Sequence, residues 1–396
     1  MKHSTERILT THVGSLARPE ALLPLLKSKE QGEPYDRDEL ARRVREAVAD
    51  AVRRQVEAGI DIVTDGEQGK SGFFTYVIER FTGFERKIPA PGKEMRPRSA
   101  GREYLAFPDY YAWSERIAEP FGGRSGRRAA GADTCTGPVA YRGHAAVRAD
   151  IDNLKAAAEG LAHEDIFMPA IASSYVAATF ANEYYRTHEE YEQAVSDALR
   201  EEYQAIVDAG FILQIDDPRL VTYYMMHPEL SVADCRKWAA ARVEAINESL
   251  RGIPPEKIRF HTCYSIDVGP RVHEMDLKDI VDILLKINAG AYSFEAANPR
   301  HEHEYHVFER VKVPDGKILI PGVISHTTNL VEHPELVAER ILRFARLVGR
   351  ERVIAGADCG FAASALRFND THPSVAWLKF AALAEGARLA SAELWK

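Results

Sequence analysis

Amphipathic helical stretches alternate with short apolar runs along nearly the whole chain, and few folds accept that alternation. Residues 7 to 15 read as a first strand ending in the turn Val13-Gly14-Ser15, with a helix expected over Pro19 to Lys27. Asp38 to Ala58 carries Val44, Val48, Val52 and Val56 once per turn and stops at Gly59. Ile60-Asp61-Ile62-Val63-Thr64 then reads as a strand that delivers Asp65-Gly66-Glu67 to a loop. Further strand-like runs fall at 166–169, 211–215, 258–260, 292–294, 318–320 and 353–355. Helices are expected between them, at Ala146 to Leu161, Tyr191 to Ala209, Val232 to Leu250, Asp276 to Asn288, Pro334 to Val348 and Ser374 to Ala390. Parallel strands need such crossovers, so the expected fold is α/β, a (β/α)8 TIM barrel. The count gives nine strand candidates for eight places, and the surplus one is Cys135 to Tyr141, which has no crossover helix before it.

Residues 82 to 132 break the rhythm with Gly, Pro, Arg and aromatic residues, including Phe121 to Arg128. A structureless loop of that length is unusual in a compact domain. The stretch is therefore expected to be an insertion with its own hairpins, reaching to about residue 141. It would pack over one end of the barrel or against a second subunit, the latter making a homo-oligomer. The whole chain, 1–396, is read as one barrel domain, a size such barrels reach with insertions.

The net charge of −8 leaves no basic stripe for nucleic acid. No run of about eighteen apolar residues would span a membrane, and residues 1–7 lack the apolar core of a signal peptide. A cytoplasmic location is expected. Four scattered cysteines, Cys135, Cys235, Cys263 and Cys359, make no disulfide framework, and a reducing compartment keeps such thiols free for metal.

Chemistry gathers at the strand ends, which in a parallel barrel form the rim where active sites are built. His261 and Cys263 close the run 257–260 and, two residues apart, project to one side. An imidazole and a thiolate there are half of a tetrahedral zinc site. Glu295, after 291–294, and Cys359, where 353–358 runs into Gly360, are the candidates for the other half. A buried cysteine or histidine is also an ordinary core residue; the shared strand-end placement of all four argues for the metal. Asn298 to His306, rich in His and Glu, is a competing cluster that would bind metal, line the pocket mouth with Arg300, or form a plain polar loop.

His261-Thr262-Cys263, Ser293-Phe294-Glu295 and Asp358-Cys359-Gly360 resemble the zinc-ligand motifs of the catalytic barrel of cobalamin-independent methionine synthase. So do Thr10 to Ser15, Asp65-Gly66-Glu67 and Gln214-Ile215-Asp216, in the same order from about residue 8 to residue 370. The resemblance implies Zn2+ held by His261, Cys263, Glu295 and Cys359, activating an acceptor thiol for methyl transfer. It implies that Ser15 receives the acceptor's carboxylate and that Glu67 and Asp216 hold its ammonium, an arrangement of charge-assisted hydrogen bonds. It also implies that His326, offset by one residue from the family position, protonates the leaving group. Asp217 and Asp358 adjoin these residues as candidate supports.

The full-length family enzyme has two barrels, whereas this chain has room for the catalytic one alone. The donor therefore stays open among a methylated folate, a methyl-corrinoid protein and another small molecule. The acceptor is expected to be homocysteine or a similar small thiol. Phe73-Phe74-Thr75-Tyr76 and Asp216-Asp217-Pro218-Arg219 depart from the family pattern and bear on that choice. Two other readings remain: alkylation of coenzyme M by an epoxide, as in a single-barrel relative, and a zinc hydrolase whose open metal position holds water.

Overall fold

The computed structural model describes residues 1–90, 98–119, 132–264, 269–365 and 369–396. Eight parallel strands follow in chain order: β1 Leu9–Thr10, β2 Ile62–Val63, β3 Asp165–Ile171, β4 Ile212–Asp216, β5 Ile258–His261, β6 Ala291–Phe294, β7 Ile318–Ile324 and β8 Ile354–Ala357. Each pairs with its neighbour from β2 through β3 to β8, and β8 pairs with β1. The seam between β1 and β2 is drawn together by Asp61 N donating to Thr10 O and Thr11 Oγ1 to Ile62 O. This is the expected (β/α)8 barrel.

Alternation along the strands sorts the interior. Leu9, Ile62, Phe167, Ile212, Ala291, Ile318, Ile320 and Ile354 pack together as an apolar plug at the foot of the barrel. Gln214, two residues on from Ile212, and Arg259, its neighbour on the next strand, are buried polar residues. Arg259 donates to Thr11 Oγ1 and His12 O and lies 3.8 Å over the Phe167 ring. One further step along each strand reaches Asp216, His261 and Glu295. The barrel thus grades from apolar floor to ionisable rim.

Small residues let this rim close. A Cβ on Gly322 would stand 2.1 Å from Asp358 Oδ1 and 2.6 Å from the Asp358 backbone. We predict that Gly322→Ala, an overpacking change with backbone as the obstacle, lowers stability by about 1–3 kcal/mol. Thermal unfolding reads this directly.

The helices on the outside largely follow the expected stripes, as in Arg37–Glu57, His188–Asp208 and Pro334–Val348. Two differ. The expected helix at Pro19 starts later, as Leu23–Gln31, because Leu22 N first closes a turn onto Pro19 O. Asp276 to Asn288 is a 3-10 turn, Leu277–Asp279, followed by a short helix Val281–Leu284. Ile280, Val281, Ile283, Leu284 and Ile287 are all buried, so the segment is wedged on several sides and packing overrides helical propensity.

The surplus strand candidate, Cys135 to Tyr141, lies outside the barrel and is strand only at Cys135, with an isolated bridge from Tyr141 to Phe81; the strand itself falls earlier. Ala132–Cys135 pairs antiparallel with Phe84–Lys87 and parallel with Ala181–Asn182 in a separate three-stranded sheet. Two helices of the inserted stretch, Arg102–Ala106 and Pro108–Ala118, lie against the rim loops. Arg102 donates to the carbonyls of Tyr224, His227 and Leu230, and Glu103 Oε1 accepts from His273 N. The arginine-rich run 121–128 lies outside the described residues.

Candidate metal centre

His261 ends β5, Cys263 follows two residues later, and Cys359 follows β8. Their ligand atoms lie within 4.8 Å of one another, and all three residues are buried. Among the described residues no other group of His, Cys, Asp or Glu converges in this way. The two sulfurs are 3.0 Å apart. His261 Nδ1 is bonded to Asp216 Oδ1 at 2.8 Å, which leaves Nε2 buried without a hydrogen-bond partner. A buried imidazole nitrogen left bare beside two thiols is what a thiophilic cation would satisfy, and a carboxylate on the other nitrogen is the usual support for a ligating histidine.

The electrostatics of the group follow from its closeness. The hydrogen bond from Cys359 brings the Cys263 thiol down to about 6, against the effect of burial and with help from His261. Cys359 is correspondingly driven well up. Burial disfavours the His261 imidazolium, but Asp216 and Cys263 outweigh it and raise the ring to about 10.

Glu295 stands next to this group with both oxygens engaged. Oε1 accepts from Tyr264 N at 2.8 Å, and Oε2 accepts from Arg271 Nη2 and Asn298 Nδ2, each at 2.7 Å. Its loop is organised by Asp358, which accepts from the backbone N–H groups of Ala296, Ala297 and Asn298 and from Asn298 Nδ2. Asp358 thereby locks the Glu295 loop to the residue beside Cys359. Asp217 acts differently: its Oδ1 accepts from Arg219 N and Leu220 N, capping the helix Arg219–Met226.

The residues expected to hold the acceptor converge from three loops. Leu16 N donates to Gly66 O and Phe361 N to Ser15 O, so the turns carrying Ser15, Glu67 and Cys359 are tied together. A Cβ on Gly360 would meet Ser15 Oγ at 2.0 Å. Glu67 has a left-handed backbone, φ 57°, and its buried Oε2 has no hydrogen-bond partner; Arg18 Nη2 lies 3.5 Å away. Burial pushes this carboxyl up to about 7, with the Asp216 charge adding to the shift. Asp216 Oδ1 is committed to His261 and to Gln214 Nε2, so its first task is to orient the imidazole. His326 is buried beside Glu295 and Asp358, close enough for its charge to bear on both carboxyls. Thr371 Oγ1 fixes its carbonyl at 2.6 Å.

The competing cluster does not converge. His301 and Glu304 are buried, whereas His303 and His306 are exposed on the 3-10 helix Glu302–Glu309. His301 gives Nδ1 to Glu304 and Nε2 to Glu274, leaving neither nitrogen for a metal. Arg300 donates to Val272 O.

Several supporting residues carried no sequence signal. Gln55, in the last turn of the helix Arg37–Glu57, joins the first two rim loops through His12 Nε2, Thr64 N and Thr64 O. Arg259 had a faint one, a charge between Ile258 and Phe260 in a strand.

The chain is thus a parallel eight-stranded barrel with two thiols and an imidazole meeting at its C-terminal rim, a group able to hold a metal ion. Residues 172–381, just over half the chain, match the model of the cobalamin-independent synthase catalytic domain, and the chain belongs to that family. It is 26% identical over 393 residues to the methionine synthase of Thermococcus kodakarensis, covering 97% of this chain and 94% of that one. The methionine synthase of Saccharolobus solfataricus is 25% identical over 97% of this chain and 95% of its own. In fold the chain is similar to a B12-independent methionine synthase from Shewanella sp. W3-18-1, solved with selenomethionine. That likeness has a TM-score of 0.70, 21% identity and coverage of 98% and 99% of the two chains.

Proposed function

We propose that this protein transfers a methyl group to the thiol of homocysteine or a close amino-acid thiol, with zinc held by His261, Cys263 and Cys359 and with Glu295 as fourth ligand. The observation that carries the reading is the approach of two sulfurs and an imidazole to within 4.8 Å of one another in a buried site, with the imidazole's Nε2 making no hydrogen bond of ordinary geometry. Relatives of nearly the same length bear the name methionine synthase, which favours the same acceptor and a single-barrel enzyme here.

Zinc bound by these groups would supply a site where an acceptor sulfur is kept as thiolate, the nucleophilic form, at neutral pH. The chain's own residues do the rest. Asp216 holds His261 in the orientation that leaves Nε2 for the metal. Glu67 Oε2, buried and without a hydrogen-bond partner, takes the acceptor's ammonium, and Ser15 takes its carboxylate beside Gly360. When sulfur bonds to the methyl carbon, the donor keeps the electron pair of the broken bond, and His326 supplies a proton to it. The pairing of Glu67 with the nearby Asp216 charge suits an ammonium-bearing thiol and disfavours a thiol whose other end is a sulfonate.

The test is alkylation of homocysteine and of mercaptoethanesulfonate by the purified protein, with methylated folate, methylcobalamin and small methyl donors each supplied. Methylation of homocysteine alone is expected. Alkylation of the sulfonate thiol alone would refute the acceptor assignment.

The pH dependence is also expected to report Glu67. Acceptor binding needs the carboxylate, so affinity falls as pH drops through about 7. Stability of the ligand-free protein runs the other way, because a folded pKa above the unfolded 4.5 favours the fold on the acid side and weakens it from 4.5 up to about 7. Acceptor titrations at pH 6 and 8 check the first effect, and Glu67→Gln should flatten it.

A further inference from the structure

Glu295 is held from outside its own loop by a run of charges that the proposed chemistry does not use. Arg271 bridges Glu295 Oε2 at 2.7 Å and Glu274 Oε1 at 2.6 Å, and Glu274 Oε2 meets His301 Nε2 at 2.8 Å. His301 in turn meets Glu304 and stacks on Tyr264, ring centroids 4.0 Å apart. Tyr264 is the residue whose N–H holds Glu295 Oε1. Arg271 keeps a left-handed backbone, φ 56°, a strained choice for a side chain of its size that persists where surroundings over-determine it. Those surroundings include the inserted helix, through Glu103 and His273 N.

With Arg271 and Asn298 both on Oε2, that oxygen is saturated, while Oε1 has a single backbone donor and a lone pair to spare. We propose that Arg271 is a positioning residue for the metal centre: by fixing Oε2 it makes Oε1 the atom Glu295 offers to a cation at His261, Cys263 and Cys359. The inference rests on the zinc reading above.

The test is zinc affinity by chelator competition on the full chain, for wild type, Arg271→Met, Glu295→Gln and the two combined. Arg271→Met is expected to weaken zinc about 10- to 100-fold, the range for residues that orient a ligand. The combined variant should bind no more weakly than Glu295→Gln alone, since Arg271 acts through that carboxylate. Arg271→Lys should recover part of the loss. If thermal unfolding shows that Arg271→Met does not fold, Arg271→Met with Glu274→Gln removes the stranded buried charge and takes its place in the cycle. Unchanged zinc affinity in Arg271→Met, or losses that add in the combined variant, would overturn the proposal. Wild-type protein that takes up no zinc would overturn the metal centre itself and this proposal with it, a result distinct from an unaffected variant.

Discussion

Cys263→Ser is expected to remove bound zinc and all thiol methylation together while leaving the fold intact. The sulfur of Cys263 lies 3.0 Å from that of Cys359 and shares the buried group with His261. A serine hydroxyl is nearly the same size, so the packing survives, but it does not ionise near neutral pH and cannot replace a thiolate ligand. Losing one of the four proposed ligands from a site whose binding energy would be of the order of 10 kcal/mol should leave metal at background after desalting. Metal analysis and far-UV circular dichroism on the same sample separate ligand loss from unfolding. A variant that kept one zinc per chain would defeat the ligand assignment.

Glu67→Gln should have the second largest effect, and in a different parameter. Its Oε2 is buried with no hydrogen-bond partner, on a left-handed residue that Asp65 Oδ1 holds through the Glu67 N–H. In the fold that oxygen faces only the buried Arg18 guanidinium, 3.5 Å away, and an incoming ammonium would supply the hydrogen bond it lacks. Removing one partner of a buried charged pair costs about 2–5 kcal/mol, which should show as a rise in acceptor KM of at least about 30-fold. Zinc content should not change, because Glu67 is not part of the converging group. Stability should hold or rise, since burial already works against the carboxylate form. An unchanged KM would remove Glu67 from the acceptor site.

The parts of this molecule that follow from local rules were legible in the chain. The i, i+2 spacing of His261 and Cys263 across a strand end, and the strand endings before Glu295 and Cys359, needed only the period of an extended chain. The eight barrel strands could be read because each apolar run is short and most are followed by a helix stripe; after 291–294 the 3-10 helix Glu302–Glu309 stands in its place. The helix at Asp276 to Asn288 was misread because Ile280, Val281, Ile283, Leu284 and Ile287 are buried together, so apolar spacing no longer reported a single face. Of what holds the site in place only Asp358 was marked beforehand, by its position beside Cys359, and its partners were not legible. Asp358 reaches back some sixty residues to the Glu295 loop, Gln55 joins two loops from inside a helix, and Arg271 meets Glu295 by way of a backbone conformation that sequence does not announce. These are contacts of tertiary structure, visible only once the barrel has brought its loops to one rim. The histidine-rich run at 301–306 shows the converse: its density suggested a metal, yet the 3-10 helix turns His303 and His306 outward.

The central claim is that the rim binds zinc through sulfur and passes a position on that metal to the acceptor's thiol. Zinc K-edge X-ray absorption on the purified protein, before and after adding homocysteine, tests it most directly. A resting shell with two sulfur scatterers is expected, with a third at about 2.3 Å once homocysteine is present. Stoichiometric zinc whose sulfur shell is the same with and without homocysteine would contradict it.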